Sequence, residues 1–248
     1  MATIRHSTRA PIASTAAASR AARNLASARD ARAEATSPVV LPMRQQILLV
    51  AEDLYVLRGY DGFSFAHIAE AVQTTRANIH HHFGDKRQLM AELIENFASN
   101  AEQRIAHHWT GVEGGFTQRL DAQLDDLRAF YNRFNRLAGE RNVWSPLSRL
   151  RLDLGVLGTL SSDALHRVDL AYDRCLRQAV NDAMCRNELV ASTPVDDVSR
   201  MLRVMLLSCA PMTQDSGNFH EIEKLFAAMQ RMIFAAWAKP ARPTGTRP

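Results

Sequence analysis

Apolar residues recur at three- and four-residue spacing through most of this chain, from Met43 to Trp237. That spacing places them on one face of a helix, and no comparable stretch shows the two-residue alternation of a half-buried strand. The pattern therefore predicts an all-α fold of about nine helices. No run of about 18 uninterrupted apolar residues occurs, so the sequence predicts no membrane-spanning helix.

Four segments of the chain differ in composition. Residues 1–40 carry six arginines against two acidic residues and lack an apolar face, which predicts a disordered basic arm. Residues 41–98 and 99–240 hold the helical patterns and predict two helical domains, and residues 241–248 predict a disordered tail. A basic arm favours approach to an anionic polymer, while a solubilising tail and a transit peptide are alternatives.

Two short helical patterns stand close together near the start of the first domain. Ser64 precedes the segment FAHIAEAV as a candidate N-cap, and Thr75 precedes RANIHHHF in the same way. Only the three residues QTT, the last of which is Thr75, separate the two patterns. Two short helices joined by such a turn predict a helix-turn-helix, whose second helix lies in the major groove of DNA.

The second of these helices has the side chains that groove contact requires. Ile79 and Phe83 are four residues apart and are expected to face inward. Arg76 can bind guanine through its guanidinium fork, and Asn78 can bind adenine through its amide. The remaining candidates for contact with DNA bases or phosphates are Ser64, Thr75, His80, His81, His82 and Lys86.

Three consecutive histidines raise the alternative of a metal site. Neighbouring helical positions are about 100° apart, so His80, His81 and His82 cannot converge on one ion. Cys175, Cys185 and Cys209 form no closely spaced pair and are expected to be free thiols. The sequence predicts no catalytic residues, no metal site and no cofactor, and a helical enzyme is a minor alternative.

The segment from residue 43 to residue 98 resembles the TetR (tetracycline repressor) family of bacterial transcriptional regulators. The resemblance rests on four features at family spacing: Gly59-Tyr60 after the first helix, Ile68-Ala69, His82-Phe83 and Lys86. Gln73 stands where the family usually has glycine, which predicts a turn that depends less on glycine. His80 and His81 stand where the family usually has aromatic residues, so their imidazoles are expected to replace tyrosine hydroxyls at phosphates.

The resemblance implies architecture beyond residue 100. It implies a helical domain that binds a small-molecule effector and forms a homodimer through the last two long helices. It also implies a cytoplasmic, nucleoid-associated protein that binds an operator in double-stranded DNA, most often as a repressor. Effector binding would tilt the fourth helix and separate the recognition helices from their half-sites. Aromatic and sulfur-containing residues that could line an apolar effector pocket are Phe130, Phe134, Trp144, Tyr172, Cys175 and Met205.

An alternative within this class is a constitutive DNA-binding or adaptor protein whose second domain has a fully packed core and binds no effector. The helix boundaries in that domain are also predictions. We expect the fourth helix to run from Lys86 to Trp109, a later long helix to begin at Ser161 or Ser162, and the next helix to close at Pro211.

Overall fold

The helical patterns fold as ten α-helices in the part of the chain that the structure, a computed structural model, describes: residues 41–240. The predicted basic arm and the predicted tail lie outside these described residues. The helices are α1 Met43–Arg58, α2 Phe65–Val72, α3 Arg76–Phe83, α4 Lys86–Ala106, α5 Phe116–Phe134, α6 Pro146–Leu152, α7 Leu154–Leu157, α8 Thr159–Cys185, α9 Val195–Ser216 and α10 His220–Trp237.

The all-α prediction is confirmed, and the helix count is close to the one expected. The extra helix is α7, a single turn that follows Asp153 and ends before Gly158. Between residues 41 and 240 the only β-type pairing is an isolated antiparallel bridge between Leu189 and Ala238. This bridge joins the end of α10 to the connection between α8 and α9. None of the described helices is both long and apolar enough to cross a membrane.

The chain divides into two units, and the boundary falls inside α4, after Met90. In the N-terminal unit, α1 packs on α2 and α2 packs on α3. Its core is formed by fully buried side chains of each element, among them Ile47, Ile68 and Ile79. The predicted domain boundary at residue 98 lies in the same helix, α4.

The C-terminal unit is built on its two longest helices. α8 packs against α9, α6, α7 and α5, and α10 packs against both α9 and α5. Burial follows the helical spacing on α8, where Val168, Tyr172, Cys175 and Ala179 face the interior. On α10 the buried positions include Ile222 and Ile233, whose burial is worth about 1.5–3 kcal/mol each.

Two predicted helix boundaries in this unit are wrong. α8 begins at Thr159 rather than at Ser161 or Ser162, because Gly158 with φ 57° makes the sharp entry and Ser161 is already a buried helical residue. α9 continues past Pro211 to Ser216. The proline ring lies on the exposed face, while the buried Thr213 keeps the next turn on the core.

The predicted fourth helix also ends differently. It is α-helical only to Ala106, and His107–Gly111 forms one π-helical turn. Thr110 contributes to this change because its hydroxyl donates to the Ala106 carbonyl at 2.6 Å and competes for an acceptor of the helix backbone. The π turn packs against α5 and α8, and its Trp109 is fully buried.

Candidate nucleic-acid interface

The turn between α2 and α3 keeps a left-handed residue. Gln73 has φ 56° and ψ 49°, and its N–H caps the end of α2. The expectation of a turn less dependent on glycine is therefore wrong, since the backbone still adopts the conformation that glycine favours. A residue with a Cβ carries a conformational cost of about 1 kcal/mol there.

α3 begins where the sequence predicts. The Thr75 hydroxyl accepts a hydrogen bond from the Asn78 N–H at 3.2 Å, as expected of an N-cap. Ile79 and Phe83 are the buried residues of α3. Their positions turn Arg76 and His81 toward solvent, and both of these side chains are exposed.

The predicted recognition residues of α3 differ in how many contacts hold their side chains. Within residues 41–240 the Arg76 guanidinium makes no ion pair or hydrogen bond, so it is available to a base or a phosphate. The Asn78 amide is instead half-buried and donates to the Thr74 hydroxyl at 3.0 Å. An adenine contact by Asn78 would have to use the remaining donor and the acceptor of that amide.

His80 is tied to the scaffold of the N-terminal unit. One ring nitrogen, Nδ1, lies 2.6 Å from the Gly84 carbonyl, an arrangement in which the protonated Nδ1 donates. The ring also makes an edge contact with Phe65, with 4.7 Å between centroids. His81 carries no such bond, and its ring lies beside that of the half-buried His82, with centroids 5.7 Å apart and the ring planes tilted by 59°. His80 and His81 are both exposed, but only the His80 ring is held by a hydrogen bond.

Lys86 has an internal role that the sequence did not reveal. Its ammonium donates to the Phe63 carbonyl at 2.7 Å and to the Tyr60 carbonyl. It also lies 4.4 Å and 4.6 Å from the centroids of the Tyr60 and Phe63 rings. Lys86 thus holds the turn between α1 and α2, and its predicted phosphate contact stays a prediction.

Ser64 lies at the N-terminus of α2, and its hydroxyl is not used in capping. Gly84 is a residue that sequence reasoning missed as part of the site. It has φ 68°, ends α3, and receives the His80 bond. A Cβ at Gly84 would lie 1.9 Å from the Gln88 amide oxygen, so the junction between α3 and α4 admits only glycine without rearrangement. The signal in the sequence is its position directly before Asp85, whose carboxylate accepts a hydrogen bond from the Gln88 N–H at 2.8 Å at the start of α4.

The predicted pocket residues lie in the C-terminal unit, and five of the six are buried. Trp144 donates to the Thr213 hydroxyl at 2.7 Å. Phe130 is half-buried and supports the Arg104 guanidinium at 4.1 Å. Their assignment to an effector site stays a prediction. Within residues 41–240 no group of three or more histidine, cysteine or acidic side chains is arranged to hold a metal ion.

A helix-turn-helix unit followed by an all-helical unit defines a DNA-binding regulator with a separate C-terminal domain. Residues 47–93 match the family model described as bacterial regulatory proteins, tetR family. The chain is 30% identical over 168 residues to the HTH-type transcriptional repressor AcnR of Corynebacterium glutamicum, covering 66% of this chain and 77% of that protein. It is 29% identical over 92 residues to the repressor of the same name from Corynebacterium efficiens, covering 37% of this chain and 46% of that relative.

The fold agrees with these sequence matches. A TetR-family transcriptional regulator from Agrobacterium tumefaciens superimposes with a TM-score of 0.63 at 18% identity, covering 77% of this chain and 96% of that one. The chain belongs to the TetR family of bacterial regulatory proteins.

Proposed function

We propose that this transcriptional regulator binds a specific operator as a homodimer and represses transcription until a small, largely apolar effector releases it. The observation that carries the proposal is the solvent face of α3, where the unpaired, exposed Arg76 stands one residue after the Thr75 cap. Free backbone N–H groups at the same helix start favour a phosphate. We place the protein in the bacterial cytoplasm and propose regulation, not catalysis, as its activity.

The contacts divide into reading and positioning roles. Arg76 and His81 are exposed and are proposed to contact base edges and the adjoining backbone. Ser64 and Thr75 stand at two helix starts and are proposed to contact phosphates. Asn78 is proposed to read a base only through the part of its amide that Thr74 leaves available.

Exposed apolar side chains support a dimer through α9 and α10. Val204 and Met232 are each 57% exposed, and Met201 is 37% exposed. Exposed apolar side chains on the last two long helices favour burial against a second copy of the chain. We propose that this dimer sets the two recognition helices at half-sites about one DNA turn apart.

Titration of the protein against DNA flanking its own gene tests the proposal. We expect specific binding that weakens with salt, and we expect Arg76→Ala to lose about 1–3 kcal/mol of binding free energy at one base-pair position. Arg174→Ala is the matched control, because Arg174 is an exposed residue of α8. Equal affinity of both variants and the wild type for every DNA would contradict the assignment of α3 as the recognition helix.

A further inference from the structure

The charged side chains of this protein are divided unevenly between its N-terminal segment and the rest of the chain. Residues 1–40, the basic arm predicted from the sequence, lie outside the described residues and hold six arginines and two acidic residues. The whole chain has 30 basic and 26 acidic residues, which give a net charge of +4. Beyond residue 40 there are thus 24 of each kind, so the basic arm carries the entire net charge.

The folded unit that contains the recognition helix is itself neutral. Residues 41–90 hold five acidic side chains and five basic ones, and the basic ones are Arg44, Arg58, Arg76, Lys86 and Arg87. Affinity for double-stranded DNA depends largely on basic side chains that neutralise phosphates and release counterions. A unit without net positive charge gains little from this effect, so positive charge on another segment would strengthen its attraction to DNA.

Two of these five basic side chains are occupied or shielded inside the unit. The Lys86 ammonium donates to the Phe63 carbonyl at 2.7 Å and to the Tyr60 carbonyl. Arg58 is half-buried, and its Nη2 atom is sealed from solvent. The exposed basic side chains of the unit are then Arg44, Arg76 and Arg87. Three arginines, one of them proposed to contact a base edge, leave few phosphate contacts for each folded unit.

The basic arm joins the folded unit beside the recognition helix. Arg44 is the second residue of α1, and its guanidinium carbon lies 4.8 Å from the centroid of the Phe83 ring, at the end of α3. The Gln46 side-chain amide donates to the Leu41 carbonyl at 2.6 Å and so holds the chain where it enters α1. The arm is therefore attached next to the helix that is proposed to lie in the major groove.

The spacing of the arginines sets how far along DNA they can reach. Arg32 is eleven residues before Met43, the first residue of α1, and the other five arginines lie further from it. A polypeptide spans at most about 3.6 Å per residue, so Arg32 can lie up to about 40 Å from the start of α1. One turn of duplex DNA is about 34–36 Å long. The arginines can therefore reach phosphates outside the half-site that α3 occupies.

We propose that the basic arm binds the sugar–phosphate backbone of the DNA that flanks each half-site. The proposal rests on the proposed function, because it adds a second DNA contact to the one made by α3. Contacts to phosphates carry no sequence information, so the arm supplies affinity and α3 supplies specificity. Neutralisation of phosphates by the arm provides the positive charge that residues 41–90 lack.

Salt titrations of DNA binding by full-length variants test the role of the arm. The arm-neutral variant replaces all six arginines of the arm by glutamine, and the arm-lysine variant replaces the same six by lysine; the positions are Arg5, Arg9, Arg20, Arg23, Arg29 and Arg32. Each phosphate contact contributes about 0.9 to the slope of log affinity against log salt. We expect the arm-neutral variant to lose about 2 or more from this slope, and about tenfold or more in affinity near 0.1 M salt.

The control variants separate a charge contact from other effects of substitution. The arm-lysine variant should keep the wild-type slope, because lysine neutralises a phosphate as arginine does. Arg174→Gln, at an exposed position of α8, removes a positive charge from the C-terminal unit and should leave the slope unchanged. An arm-neutral variant with the wild-type slope, or equal losses in the arm-neutral and arm-lysine variants, would overturn the proposal.

The choice of DNA distinguishes failure of this proposal from failure of the proposed function. On an operator duplex cut at the outer edges of its half-sites, the wild type should bind no more tightly than the arm-neutral variant, whereas one added turn of flanking DNA on each side should restore the difference. A wild type that prefers its operator but gains nothing from flanking DNA contradicts this proposal alone. If the arm-neutral variant loses slope on duplexes of unrelated sequence and the wild type prefers no operator, only the proposed function is contradicted.

Discussion

Lys86 has two candidate roles that one substitution can distinguish: stabilising the N-terminal unit and binding a DNA phosphate. Its ammonium makes two hydrogen bonds to backbone carbonyls and lies over two aromatic rings, all in the turn between α1 and α2. The phosphate role was predicted because a lysine at this position starts the helix after the recognition helix. Lys86→Met separates the two, since methionine keeps an unbranched apolar stem and removes the charge.

The structure gives the size of the expected effect. A hydrogen bond from a charged donor is worth about 1.5–3 kcal/mol when well buried, and the half-buried Lys86 belongs at the lower end. Each cation–π contact adds about 0.5–1 kcal/mol at a partly exposed site. Allowing for overlap among the four contacts, we expect Lys86→Met to destabilise the N-terminal unit by about 2–4 kcal/mol.

Hydrogen exchange measures this change where it should occur. The Gly62 N–H, which donates to the Gly59 carbonyl at 3.2 Å, and the amides at the start of α2 should lose protection. Arg87→Met is the matched control, because it removes the same charge from the next residue, which is exposed. We expect that variant to leave protection in the turn unchanged.

The salt dependence of operator binding tests the alternative, in which Lys86 contacts a phosphate. Loss of one phosphate contact lowers the slope of log affinity against log salt by about 0.9. If Lys86→Met lowers the slope by that amount and leaves exchange in the turn unchanged, Lys86 is a phosphate contact and the reasoning from its internal hydrogen bonds is refuted.

Three further predictions concern single residues. Gln73→Gly should raise the stability of the N-terminal unit by up to about 1 kcal/mol in urea melts, because glycine relieves the left-handed strain, and a loss of stability would contradict this. Burial, followed by the Arg58 charge, lowers the pKa of His67, so the unit should lose stability as pH falls below about 6.5, and His67→Gln should flatten that profile. Trp109→Phe removes the indole N–H that donates to the buried Gln123 amide oxygen at 3.0 Å. This variant should destabilise the C-terminal unit by about 1–3 kcal/mol in thermal melts. An unchanged melting temperature would show that water replaces the indole N–H as the donor.

The parts of the fold that sequence reasoning found are those that short-range rules determine. The Thr75 cap and the buried pair Ile79 and Phe83 depend on residues within four positions of one another. Pro211 shows the limit of such rules. A proline usually ends a helix, yet here burial of the following turn outweighs the loss of one hydrogen bond.

The parts that were missed depend on contacts between distant residues. The bonds of Lys86 join residues 23 and 26 positions away, and the Arg104–Asp126 pair spans 22 positions. Arg119 looks like any surface arginine in the sequence, because nothing nearby shows that it is 3% exposed and lies 3.0 Å from Asp182. A polar residue on a helical pattern is normally interpreted as solvent-facing, so a buried polar side chain is what such an interpretation does not detect.

The three histidines of α3 illustrate how one short run serves two purposes. Their separation by about 100° excludes a shared ligand, and the structure divides them accordingly. His80 and His81 are both exposed, but the His80 ring is held by Phe65 and the Gly84 carbonyl. Because the two are adjacent on one helix, fixing His80 fixes the direction in which His81 points. Substitution of His80 should therefore weaken operator binding indirectly, through the orientation of α3, and substitution of His81 should weaken it without any change in stability.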